Sequence, residues 1–377
     1  MKFTITQKEL AILQEKGKLF NYLSSTMTKT YFAIGDGKFV VFFRGAKGAA
    51  KLTLDAPGAI EPARVILIDY GKWLNAITKQ SFAEEITISL TDKYLKVSID
   101  GSSDMISLGI TSYDSSSSEA ETLFNFIESL RQTATNRIRM TEDTSDVLSV
   151  ATAMLSTAAH NNAVALTNKS VMYADRSIVL KAFLQEPLEL KEGVTVEVHK
   201  YTVGFMQQAM RFGDTFFFND RFDTVDWESR DGSMIVIMAS EPCEIAIPTA
   251  EELEAIRPGA GCGTMSIDHR SLDSALEFFN GFYEASVWKP ITFSLDPSGS
   301  KLYYKHPTTE ISKELDATVD LAAEFALSSE NLAKLLSRSI SRNSEQLDVV
   351  FSYDTEAAGV RCVIGDLFDV VFAKLIA

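Results

Sequence analysis

"RVILIDYGKWLNAITKQSFAEEITISLTDKYLKVSIDGSSDMISLGI", residues Arg64 to Ile110, carries the plan of the whole chain in one copy. Its first five residues are rich in β-branched and aliphatic side chains and read as a strand. From Tyr70 the apolar period lengthens from two to 3.6. Trp73, Leu74 and Ile77 then share one helical face, and Lys72, Asn75 and Lys79 the opposite one, with no acidic residue beside them. Three alternating stretches follow, EITISL, KYLKVSI and DMISLGI, separated by turn residues. The unit is a strand, a helix and three strands.

Five further copies follow the same order. The first opens with KFTI and a helix in QKELAILQEKGKL, and its GDG at Gly35 to Gly37 supplies a hairpin turn. The third opens with NRIRM and a helix over Thr141–Ala159, the fourth with VTVEVHK and a helix over about Tyr201–Phe212. The fifth is TMSI with a helix over His269–Tyr283, the sixth AEFAL with a helix over Ser329–Ile340. Six repeats of about 60 residues predict an internally duplicated α+β architecture. Pairing them gives three domains, residues 1–114, 136–257 and 258–377, with a connector at 115–135. In the connector, Ser118 and Glu121 read as a capping box ahead of Leu123, Ile127 and Leu130, so an additional helix is expected over Glu119–Gln132.

The residue inventory narrows the function classes. Hydrophobic residues make up 46% and charged residues 23%, as in soluble globular proteins. No apolar run reaches membrane-spanning length, MKFTITQKEL is not a signal peptide, and Cys243, Cys262 and Cys362 are scattered and odd in number; a cytoplasmic setting is expected. His160, His199, His269 and His306 show no ligand spacing, so neither a metal nor a cofactor is predicted. RPGAGCG lacks the Lys-Ser/Thr ending of a phosphate loop, and Asn168 in NKS has no secretion signal to support glycosylation. The acids Asp223, Asp226, Glu228 and Asp231 lie in a strand-turn segment, where most read as a solvated face. No nucleophile stands with a base, so no catalytic residue is predicted and the chain reads as a non-enzyme.

Charge then poses a question. With 51 acidic against 36 basic side chains the formal charge is −15, unfavourable for a free-standing DNA binder. The six repeat helices nevertheless carry +1, +2, −3, +2, −2 and +2, so −17 falls on the remainder of the chain. Lys72 and Lys79 in the second helix, Lys200, Gln208 and Arg211 in the fourth, and Lys334 and Arg338 in the sixth all lie opposite an apolar stripe.

Taken with the opening MKFT, the stretch EEITISLTDKYLKVSIDGSSDMISLGI, LDSALEFF in the fifth repeat and the terminal DVVFAKLIA, this pattern resembles the bacterial-type sliding clamp, the ring-shaped processivity factor of DNA polymerases. The resemblance covers the whole chain. It implies a three-domain DNA clamp fold in which two chains close head-to-tail into a ring, helices inside and sheets outside. Double-stranded DNA would be held topologically and without sequence preference, so the lining need only avoid repelling phosphates. A DNA polymerase and a clamp-loader ATPase would be partners, and a membrane would not. The DNA-facing residues would be Lys8, Lys72, Lys79, Lys200, Gln208, Arg211, Lys334, Arg338 and Arg342. The dimer contact would join Ile106 and Leu108 to Phe282 of the other chain, and a partner-peptide pocket would use Ile178, Val179, Val370 and Phe372, with Phe372 partly exposed.

Departures from the family pattern are visible. Its Thr-Asp-Gly-His-Arg-Leu run aligns with ADRSIVL, which keeps only Asp175 before Ile178 and Val179. The third and fifth helices are net acidic, and the additional helix has no counterpart. Such divergence suggests a bacteriophage-encoded clamp. The rival reading is a β-rich structural or assembly protein, for instance of a virion, that reuses the repeated fold without DNA.

Overall fold

The computed structural model describes residues 1–23, 29–78, 85–99, 105–110, 112–113, 116–131, 134–155, 163–175, 177–240, 252, 262–280, 290–306, 309–342, 347–354 and 358–375. The strand-helix-three-strand unit appears six times. The first two copies run β1 (Lys2–Thr6), α1 (Gln7–Gly17), β2 (Lys29–Gly35), β3 (Lys38–Gly45), β4 (Gly48–Asp55), then β5 (Arg64–Ile68), α2 (Tyr70–Thr78), β6 (Glu85–Leu90), β7 (Tyr94–Ile99), β8 (Met105–Gly109). A short β9 (Ser112–Tyr113) and α3 (Ser116–Arg131) follow.

The middle copies are β10 (Ala134–Arg139), α4 (Glu142–Leu155), β11 (Ala163–Leu166), β12 (Ser170–Ala174), β13 (Ile178–Phe183), then β14 (Val196–His199), α5 (Lys200–Ala209), β15 (Thr215–Asn219), β16 (Thr224–Glu228), β17 (Met234–Ala239). The last two are β18 (Gly263–Asp268), α6 (His269–Asn280), β19 (Pro290–Leu295), β20 (Ser300–His306), β21 (Thr309–Leu315) with the small β22 (Thr318–Val319), then β23 (Ala323–Ser328), α7 (Ser329–Arg342), β24 (Asp348–Tyr353), β25 (Gly359–Ile364), β26 (Phe368–Ala373).

Each opening strand deserts its own repeat and pairs antiparallel with the first strand after the helix of its neighbour. Thus β1 pairs β6 and β5 pairs β2; β10 pairs β15 and β14 pairs β11; β18 pairs β24 and β23 pairs β19. The exchange couples repeats two by two. Two further pairings, β4 with β17 and β13 with β26, join sheets edge to edge, giving nine-stranded orders β10-β15-β16-β17-β4-β3-β2-β5-β9 and β14-β11-β12-β13-β26-β25-β24-β18-β22. Four-stranded sheets β1-β6-β7-β8 and β21-β20-β19-β23 remain.

Because the joints are continuous ladders, the compact units cut across the repeats. One unit holds residues 1–140 and 201–240, the other 141–200 and 241–377. In the first, Trp73, Phe32 and Phe39 are fully buried with ring centroids 4.9–5.7 Å apart, and Phe20 stacks on Phe43 at 4.9 Å. In the second, Phe293 packs 5.2 Å from Phe325 and 5.4 Å from Phe351. Truncating such a side chain to alanine costs roughly 3–5 kcal/mol, because the cavity only partly collapses.

Several boundaries differ from the sequence reading. The fifth-repeat helix ends at Asn280, and residues 281–289, including Phe282, lie outside the described residues. α3 begins at Ser116, so Ser118 sits inside its first turn and is not a cap. A capping arrangement occurs instead at α1, where the Thr6 amide and hydroxyl both donate to the Glu9 carboxylate at 2.8 Å. No helix among the described residues is long and apolar enough to cross a membrane.

Candidate nucleic-acid and partner interfaces

The helices place the basic residues unevenly. Lys8 is exposed in the first turn of α1, and Lys72 is exposed on α2 opposite Trp73 and Ile77, which are fully buried. The Lys72 face does hold an acid: Asp69 Oδ2 stands 3.8 Å from its ammonium, a pair exposed enough to cost little to break. Lys79 lies outside the described residues. On α5, Val203 and Met206 are buried, Gln208 is exposed, and Lys200 is half-buried. Just after the helix, Arg211 is exposed, its guanidinium 4.6 Å from the Phe212 ring centroid.

The sixth repeat corrects an expectation. Lys334 was expected to face outward, but its ammonium nitrogen is enclosed and lies 2.9 Å from Glu330 one turn earlier. Leu332, Leu335 and Leu336 are fully buried as expected. Arg338 and Arg342 belong to the same helix, with side chains outside the described residues.

Charge counting also overstated α1. Lys16 is only 4% exposed, with its ammonium 2.7 Å from both carboxylate oxygens of Asp231 and 2.6 Å from Ser233 Oγ. Of the four acids, Asp223, Glu228 and Asp231 are exposed, as expected for most of the segment, and Asp226 is the exception. Asp226 is 6% exposed and accepts from Arg131 Nε at 3.3 Å, while Glu228 accepts from Arg131 at 2.5 Å. Burial pushes the Asp226 carboxyl upward, against the pull of Arg131.

The expected peptide pocket fares differently. β13 and β26 are antiparallel neighbours with Ile178 opposite Phe372 and Leu180 opposite Val370. Phe372 is 1% exposed and Ile178 and Val370 are buried beside it, so all three are core. The expectation of a partly exposed Phe372 is corrected, because its side chain points to the packed face of the ladder. Val179 points to the opposite face and packs with Ala165 and Met172, since successive strand residues alternate. Asp175 holds the β12–β13 turn, accepting from the Ser177 and Ile178 amides and from the Tyr173 hydroxyl.

Two sheet edges complete the picture. β8 ends the first four-stranded sheet, with Leu108 opposite Leu95 and Ile106 opposite Val97. Leu108 is buried and Ile106 half-buried, so the apolar core runs to the very edge. MISLG carries neither charge nor proline, the usual devices that protect a free edge. β21 ends the other four-stranded sheet, beside α6 and a groove of about 390 Å³ lined by Arg270, Ser271, Ala275, Lys313 and Leu315 among others. Phe278 on α6 is 41% exposed under the Lys313 ammonium, 5.0 Å from its ring centroid. Among the described exposed aromatics it is the nearest in sequence to Phe282, the adjacent Phe279 being fully buried.

No family model and no curated relative matches the sequence. Solved structures do. The DNA polymerase III subunit beta from Pseudomonas aeruginosa aligns over 100% of both chains with a TM-score of 0.76 at 11% identity. The sliding clamp from Bartonella birtlesii bound to griselimycin aligns over 100% of both chains with a TM-score of 0.73 at 12% identity. The Helicobacter pylori beta clamp bound to a DNA ligase peptide aligns over 100% of both chains with a TM-score of 0.72 at 11% identity. The chain has the sliding-clamp fold over its full length.

Proposed function

We propose that this chain is a sliding clamp that encircles duplex DNA and tethers a replicative DNA polymerase without catalysing a reaction itself. The observation that carries the reading is the edge arithmetic within the fold. Each joint between sheets of different repeat pairs is an antiparallel edge-to-edge ladder, and two four-stranded sheets end in β8 and β21. Pairing β8 of one chain with β21 of another closes a head-to-tail homodimer and leaves neither edge open. Ile106 and Leu108 would then extend their core against Phe278 and its neighbours. The full-length likeness to beta clamps supports the same conclusion.

The pairwise strand exchange supports a division into three domains, residues 1–114, 136–257 and 258–377. Lys8, Lys72, Lys200, Gln208 and Arg211, with Arg338 and Arg342, are the phosphate-facing set. Lys334 is better assigned to its own helix. Since the Helicobacter pylori clamp was solved with a ligase peptide, short linear peptides of a polymerase or a loader ATPase are the expected partners.

The deciding experiment measures retention on DNA. A loaded clamp stays on nicked circular DNA and slides off the same molecule once linearised. Equal loss from both, or a monomer under sedimentation at loading concentration, rejects the ring.

A further inference from the structure

The helix α3 lies outside the sixfold repeat, and its position assigns it a task. It connects β9 at one edge of a nine-stranded sheet to β10 at the other, so the chain between Tyr113 and Ala134 crosses the sheet from side to side. Eight inter-strand steps span roughly 38 Å, and sixteen helical residues supply about 24 Å of that distance.

The face it crosses is built to receive it. Leu67, Tyr31, Phe42, Lys51, Ile235 and Glu228 stand in one cross-strand row over β5, β2, β3, β4, β17 and β16. Leu123 and Ile127 of α3 are buried in a cluster with Tyr31, Phe42, Ala49, Ile235 and Ile237. These partners come from both sides of the β4–β17 seam. Lys51 on β4 places its ammonium 4.1 Å from the Phe124 ring centroid, and Arg131 at the far end of α3 clasps Asp226 and Glu228 on β16. At the seam itself, a Cβ on Gly48 would stand 2.1 Å from the Ile237 carbonyl oxygen, so the two strands leave no room for a side chain there.

We propose that α3 is a brace that locks the β4–β17 seam, pinning the sheet of the first repeat to that of the fourth. Opening the seam would lengthen the path from Tyr113 to Ala134 and would uncover Leu123 and Ile127. Where the clamp reading holds, the brace makes this joint rigid and directs ring opening to another joint. That consequence rests on the proposed function; the brace itself does not.

Hydrogen exchange on the full-length protein without DNA tests it. Amides of residues 48–55 and 234–239 should exchange about tenfold faster or more in Ile127→Ala and in the milder Arg131→Gln. Those of β1, β6, β13 and β26 should keep wild-type rates, and Phe126→Ala, on the exposed side of α3, should change nothing at the seam. Unchanged seam exchange in both variants, or equal acceleration throughout residues 1–140, overturns the brace. DNA retention, measured separately, can fail while the exchange result stands.

Discussion

The Lys16 ammonium and the Asp231 carboxylate, 215 residues apart in sequence, meet at 2.7 Å with the lysine almost wholly buried. The aspartate side chain is half exposed, at 51%. Burial disfavours ionisation of Asp231, but hydrogen bonds from Lys16, Ser229 and Ser233 outweigh it and hold the carboxyl well below the usual carboxylate range. Asp231→Asn strands a buried ammonium; discounted for the exposed partner, the cost is about 1–3 kcal/mol. A carboxyl held low in the folded state contributes stability above its unfolded value near 4 and loses it as pH falls toward the folded value. Urea unfolding should therefore show a gap between wild type and Asp231→Asn that is full at pH 7 and narrows below about pH 4. A gap that does not change with pH rejects the assignment.

Phe372→Ala acts on folding before it acts on any partner. The side chain is 1% exposed and faces Ile178 across the ladder, so its truncation leaves a cavity worth roughly 3–5 kcal/mol. Chemical denaturation checks this directly. A midpoint within error of wild type would restore Phe372 to the protein surface.

The cationic set should govern the salt dependence of DNA binding. Replacing Lys72 or Arg211 by Gln removes one phosphate contact each and should reduce the slope of log K against log salt by about 0.9 per residue. Lys334→Gln should leave the slope unchanged, since its ammonium is already enclosed beside Glu330. A larger effect at Lys334 than at Arg211 would reverse the assignment.

Substituting Ile106 and Leu108 by Lys should give monomers in analytical sedimentation with the first four-stranded sheet still folded. The two side chains sit on the edge strand, where Lys can snorkel in a monomer but not inside a closed joint. A dimer of wild-type strength would place the interface elsewhere.

The sequence by itself determined the repeat, and with it the fold. Period-two stretches, a single amphipathic helix per unit and turn residues between them are local properties, and each forms where its side-chain spacing places it. The helix positions of Lys8 and Lys72 were legible for the same reason, whereas Arg211, expected on the fourth helix, lies just past its end at Ala209. Strand exchange was not, because any of several antiparallel partners satisfies the same alternation. Nor was the fate of individual charges: Lys334 read as a DNA-facing cation, yet its ammonium is enclosed beside Glu330, and Lys16, counted only in a helix charge, meets Asp231 of a distant strand turn. Ile178 and Phe372 passed for pocket walls until the β13–β26 register set them face to face in the core. The additional helix was visible, but only the nine-strand order showed that it spans a seam. What a side chain touches is decided by residues hundreds of positions away, and burial, not residue type, then decides whether a charge meets solvent or a counter-ion.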